Sequence, residues 1–196
     1  MQIEHLKKIT APSAQEICAL ATAGGFPLTA PDGASPAAFL NDLLTAKNLG
    51  EALQFFAFAL PAREAVWWAC LCSRATLPDP VPPPLQEAVD AAEAWVRNPS
   101  EEHRRAAMSR AQATDMKSPV AWAAIAAFWS GGSLAPENLP EVPPAPHLIG
   151  CAVAGAVTLA AVKSEPQLAD QKRARFLASA IDIANGGNGR LQPAGG

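Results

Sequence analysis

Apolar positions recur at helical spacing along almost the whole chain, and no stretch alternates apolar and polar residues as a strand would. The densest part runs from Leu49 to Thr76, L-G-E-A-L-Q-F-F-A-F-A-L-P-A-R-E-A-V-W-W-A-C-L-C-S-R-A-T, and predicts two helices abutting at Pro61. Leu49, Leu53, Phe56 and Leu60 make one stripe. Phe55 and Phe58 widen it beyond a single contact face, so this helix must be packed on more than one side. Pro61 has no N–H to donate and either starts a new helix or kinks the old one. The pair is expected to be the hub of the core.

The remaining helices can be placed in order. Ser13 caps a helix over Ala14 to Ala23 that Gly24-Gly25 ends. Ser35-Pro36 is a cap followed by Pro at the first helical position, and Phe39, Leu40, Leu43 and Leu44 give the next inner face, ending near Asn48. After the extended Leu77 to Pro84, residues Leu85, Val89, Ala92, Trp95 and Val96 oppose Gln86, Glu87, Asp90, Glu93 and Arg97 on a clean amphipathic helix. Ser100 caps a helix whose only apolar stripe is Ala107, Met108 and Ala111, which makes it the most exposed. Ser118-Pro119 starts another, with Trp122, Ile125 and Trp129 on one face and Phe128 beside them. A second Pro-rich connector spans Gly132 to Pro146. Leu148 to Val162 reads as a buried helix, Ser164-x-x-Gln167 as a capping box, and Leu168, Phe176, Leu177, Ala180, Ile181 and Ala184 as the inner face of the last helix. Asn185-Gly186-Gly187 stops it, and residues 188–196 are expected to be a loose tail.

The pattern therefore predicts an all-α protein: a multi-helix bundle, or a short α-solenoid-like array, of about seven to eight helices with Pro-rich connectors. A single helical domain over 1–196 is expected, with sub-layers 1–76 and 85–187 left open. The Ser-Pro starts at 35 and 118 and the Pro starts at 61 and 166 are irregularly spaced, which argues against a true repeat.

Composition narrows the function classes. Apolar residues are 49% and charged ones 17% of 196 residues, so a core is affordable without disulfide or metal staples. The net charge of −3 speaks against nucleic acid, which selects basic faces. The basic cluster Lys172, Arg173 and Arg175 is balanced by Glu165, Asp170 and Asp182. Cys18, Cys70, Cys72 and Cys151 lack framework spacing and are read as free, mostly buried thiols, which fits a reducing, cytoplasmic setting. Residues 148–162 are uncharged yet about five residues short of the roughly 20 a spanning helix needs, and no signal-peptide core follows Met1.

No chemistry-bearing constellation emerges. His5, His103 and His147 have no metal-ligand spacing, Glu101-Glu102-His103 point in different directions around a helix, and the Gly-rich runs are helix stops, not phosphate loops. No catalytic residue, cofactor or metal is assigned. Trp67-Trp68 is the most unusual pair: neighbours on a helix point about 100° apart, so one can face the core while the other packs on a second layer or anchors a partner. Arg63 and Glu64 order the corner at Pro61 or are solvated.

The run Leu60-Pro61-Ala62-Arg63-Glu64-Ala65-Val66-Trp67-Trp68-Ala69-Cys70, with Cys72 and Arg74 after it, and the ending Phe176 to Gly187, F-L-A-S-A-I-D-I-A-N-G-G, resemble a bacterial family of small helical proteins of unknown function. The resemblance implies an accessory protein encoded near type VI secretion components, with a protein-binding role and no catalytic residue.

The expectation is a cytoplasmic adaptor or chaperone-like accessory that binds another protein through Arg63, Glu64, Trp67 and Trp68 and the Pro-rich connectors, with self-association open. The alternatives are an enzyme whose site is assembled from scattered polar residues, which Arg63, Glu64 and Asp182 clustered in a buried pocket would favour, and a membrane-associated structural protein using residues 148–162.

Overall fold

The computed structural model describes residues 3–136 and 138–191, and every described element is helical. Nine α-helices and one short 3-10 turn occur among them: α1 (Ala14–Ala23), α2 (Pro36–Thr45), α3 (Leu49–Ala59), α4 (Ala62–Arg74), α5 (Pro83–Arg97), α6 (Glu101–Gln112), α7 (Pro119–Phe128), α8 (Leu148–Val162), the 3-10 turn Pro166–Leu168, and α9 (Ala169–Ala184). The fold is the all-α packing expected, with one helix more than the seven to eight anticipated.

Local chemistry sets most boundaries. The side chains of Ser13, Ser35, Ser100 and Ser118 each accept a hydrogen bond from the amide three residues on, satisfying a helical N–H that has no intrahelical acceptor. At Pro61 the chain breaks instead of kinking: Leu60 and Pro61 are extended, and a new helix starts at Ala62. The capping box at Ser164 does not form. Ser164 adopts φ +72, Pro166 opens the 3-10 turn, and α9 begins only at Ala169, so Ser164 never reaches a cap position.

The core is one continuous set of buried side chains drawn from all nine α-helices together with Ile3 and Leu6, so residues before 76 and after 85 share it. The expected hub lies inside it. Phe55 and Phe56 of α3 and Trp68 of α4 are fully buried, with Phe56 and Trp68 in edge contact at 6.3 Å. The sequence understated α7, whereas α8 is the buried helix expected; the two pack on each other at the centre, α4 lies against both, and α3 lies against α8. Both are Ala-rich and low in polarity, which permits close approach from several sides. No single helix among the described residues is long and apolar enough to cross a membrane.

One charged group is buried on the helix expected to be the most exposed. Arg104 of α6 is only 3% exposed. Its guanidinium pairs with Glu101, donates to the carbonyls of Phe128 (2.5 Å) and Ser133 (2.7 Å), and lies over the Phe128 ring 4.4 Å from its centre. It thereby satisfies carbonyls where α7 ends, so the helix judged most exposed carries a buried clamp.

Candidate functional site

The N-terminal end of α4, the C-terminal ends of α5 and α9, and the segment before α1 meet around a shallow groove of about 320 Å³ lined by Lys8, Arg63, Glu64, Trp67, Val96, Arg97, Ile183 and Gly187. Three of the four residues singled out from the sequence are thus neighbours here. The fourth, Trp68, is elsewhere: it is fully buried and donates its indole N–H to the carbonyl of Phe176 at 3.0 Å, so it is a core residue with no surface to offer a partner.

Helix ends build the groove. The carbonyls of a helix's last turn lack intrahelical partners, and two such carbonyls are claimed from outside. Arg63 Nε donates to the carbonyl of Val96 in the last turn of α5 at 2.6 Å, placing its positive charge at the negative end of that helix dipole. The amide of Lys8 donates to the carbonyl of Ala184 at the end of α9 at 2.8 Å. Lys8 Nζ then reaches Glu64 at 2.6 Å, in the first turn of α4, where the dipole favours an acid.

Trp67 is half-buried. Its indole N–H donates to the carbonyl of Asn188 at 2.8 Å, which leaves the ring's apolar surface toward the groove beside Val96 and Ile183. The same turn is held twice more: Ser179 Oγ donates to the carbonyl of Gly189 at 2.5 Å, and Asp182 accepts from the amide of Gly189 at 2.8 Å. Residues 188 and 189, expected to begin a loose tail, are therefore anchored. Of the expected tail, residues 192–196 lie outside the described residues.

The charges on the groove are unequal. Lys8, Arg63 and Arg97 face one acid, Glu64, and that acid is taken by Lys8. Arg63 forms no ion pair among the described residues. Arg97 is mostly exposed, and its one carboxylate contact among the described residues, Glu93 at 3.6 Å, is to an acid already bound by Arg74. On Arg74 the hydrogen bond to Glu93 raises the guanidinium pKa against the opposing effect of burial, so the Arg74–Glu93 pair is the stronger claim on that carboxylate.

Arg63 and Glu64 line this groove and Asp182 does not join them, so the cluster that would have favoured the enzyme alternative is not formed. Asp182 turns toward the 187–189 turn and lines a separate cavity with Arg175, Ser179, Asn188 and Arg190. No group of three His, Cys, Asp or Glu side chains among the described residues is placed to hold a metal ion. Cys18, Cys70 and Cys72 are buried and Cys151 is partly so. Burial pushes the thiols of Cys70 and Cys72 far up, the opposite of what a nucleophile needs.

Lys8, Val96, Arg97, Ile183 and Gly187 were not anticipated as site residues. Val96 and Arg97 read as the end of an amphipathic helix, and nothing local to any of the five says that they meet at Trp67.

No curated protein and no solved structure matches the chain. The sequence model of a family of unknown function (DUF6931) matches residues 39–184, from α2 to the end of α9 and including Arg63, Glu64, Trp67, Val96, Arg97 and Ile183, and the chain belongs to that family.

Proposed function

We propose that the protein is a non-enzymatic interaction module, an adaptor or chaperone-like accessory protein, and that it engages another protein at the Trp67 groove. The observation that carries this reading is Trp67 itself: a large aromatic surface left partly open at a helix corner, its one polar atom already satisfied inside the protein, and flanked by Arg63 and Arg97. Trp and Arg are the residue types over-represented where binding energy concentrates. Their fixing by Asn188 and Val96 lowers the ordering cost of association.

The resemblance of the Leu60 to Cys70 run to proteins encoded near type VI secretion components supports an accessory role in such a bacterial system, in the cytoplasm. The test is affinity capture from lysate of the source organism with wild type, Trp67→Ala and Arg97→Glu, each confirmed folded by circular dichroism. A stoichiometric partner held by wild type and lost by the folded variants is the expected result. Equal retention by all three removes the groove from the reading, and the absence of any stoichiometric partner for wild type removes the reading.

A further inference from the structure

We infer that the Trp67 groove takes an acidic segment of its partner, a short peptide stretch whose carboxylates pair with Arg63 and Arg97 and whose neighbouring apolar side chain lies on Trp67, Val96 and Ile183. The inference rests on the interaction reading and adds the chemistry of the occupant.

Charge complementarity comes first. Lys8 and Glu64 neutralise each other across 2.6 Å, which leaves Arg63 with no ion pair among the described residues and Arg97 with the 3.6 Å contact to Glu93. This local excess of positive charge sits on a chain whose net charge is −3, so it runs against the character of the molecule. Arg63 commits Nε to Val96, which fixes the plane of its guanidinium and leaves the two Nη groups, the edge that grips a carboxylate with paired hydrogen bonds. Arg97 is held only at 3.6 Å by a carboxylate already shared with Arg74, so it can turn to an incoming acid at little cost.

The apolar half follows from Trp67. With its N–H bound to Asn188, the indole has no donor left for a polar ligand, and a bare carboxylate would leave its ring uncovered. An acidic residue next to a Phe or Leu satisfies both halves. Glu64 sets the direction, because a partner acid placed over the Lys8–Glu64 side meets like charge, whereas one over the Arg63–Arg97 side does not. A nucleic acid fits less well, since its affinity comes from many phosphate contacts and the groove offers only Arg63 and Arg97 beyond the Lys8–Glu64 pair.

The test uses two capped 12-residue peptides, one built from Glu, Asp, Ser, Phe and Leu, the other with every Glu and Asp replaced by Gln and Asn, and a single-stranded oligonucleotide of similar charge. The readout is the indole N–H resonance of Trp67 in 15N-labelled protein, identified by its loss in Trp67→Phe among the five tryptophans. The acidic peptide is expected to shift this resonance, with affinity at least tenfold above that of the neutral peptide. A loss of at least tenfold is expected in Arg63→Gln/Arg97→Gln, and a smaller one in Arg97→Gln alone, which gives up no helix-capping bond. Equal binding of both peptides, or tighter binding of the oligonucleotide, overturns the inference. If neither peptide moves Trp67 while the double variant still loses the captured partner, acid recognition fails and the groove remains the docking site. If the double variant keeps the partner, the groove reading fails as well.

Discussion

Trp68 donates its indole N–H to the backbone carbonyl of Phe176 across 3.0 Å of buried core, tying α4 to α9, while its neighbour Trp67 makes the equivalent bond to Asn188 near the surface. The two adjacent rings therefore have different energetic roles. Replacing Trp68 by Phe removes a buried hydrogen bond and leaves unfilled volume, and is expected to cost about 1–3 kcal/mol. Trp67→Phe gives up one partly exposed bond and should cost about 1 kcal/mol or less. Urea unfolding followed by far-UV circular dichroism ranks them, and a larger loss for Trp67 would contradict this division.

Two glycines of α8 should respond in opposite directions to the same change. A Cβ at Gly150 would lie 2.2 Å from the Phe58 ring, so Gly150→Ala forces that ring to move and is expected to destabilise by about 1–3 kcal/mol. At Gly155 the nearest atoms belong to Trp122 at 3.5 Å, an ordinary contact. Gly155→Ala should then stabilise by about 0.5–1 kcal/mol through helix propensity. Thermal unfolding of the two single variants separates the cases.

Arg104 and Glu101 make a clamp with a defined pH response. The hydrogen bond from Arg104 is the largest influence on the Glu101 carboxyl and holds it below its ordinary value of 4.5; the charges of Arg104 and Arg105 act the same way, and burial opposes them. A carboxyl lowered on folding contributes stability above its unfolded value and loses it as pH falls through its folded value. The stability gap between wild type and Glu101→Gln is therefore expected to be present at pH 6, to shrink below about pH 4.5, and to vanish at lower pH. Because the Glu101 side chain is 47% exposed, the gap is modest. Arg104→Met should be far more damaging, about 3 kcal/mol or more, because it strands the Phe128 and Ser133 carbonyls and leaves Glu101 with Arg105 as its remaining partner. Denaturant titration across the pH series measures both.

The thiols should be protected in the native state. Cys70 and Cys72 are fully buried with strongly raised pKa values, and burial raises Cys18 and Cys151 as well. Iodoacetamide at pH 8 is expected to label Cys70 and Cys72 only after unfolding, with Cys151, the one cysteine not fully enclosed, reacting first. Intact-mass and peptide mass spectrometry report the order. Rapid native labelling of Cys70 would show that α4 opens readily.

The sequence by itself determined the class and nearly every element. Serine caps, Pro at first turns and Gly stops act within a few residues, and the 3.6-residue period of Leu, Phe and Ala is written along the chain, so helices such as Ala14–Ala23 and Leu148–Val162 could be read directly. It failed locally at Ser164, where a correct cap motif was overridden by the turn that Pro166 opens. Everything that depends on contacts far apart in the chain was decided by tertiary structure. Periodicity placed Trp67 and Trp68 about 100° apart and could not say which faced inward, because that is fixed by α9, more than a hundred residues later. Nothing in the sequence marked Arg104 for burial, because two of its partners are backbone carbonyls, which every residue has and no sequence pattern marks. The groove is the same case: Arg63 and Glu64 were visible as a pair, but Lys8, Val96, Arg97, Ile183 and Gly187 join them only because three helix ends and the N-terminal segment pack at one corner. The helices follow from bonds between near neighbours; the site follows from carbonyls left over at helix ends, whose partners only the packed chain supplies.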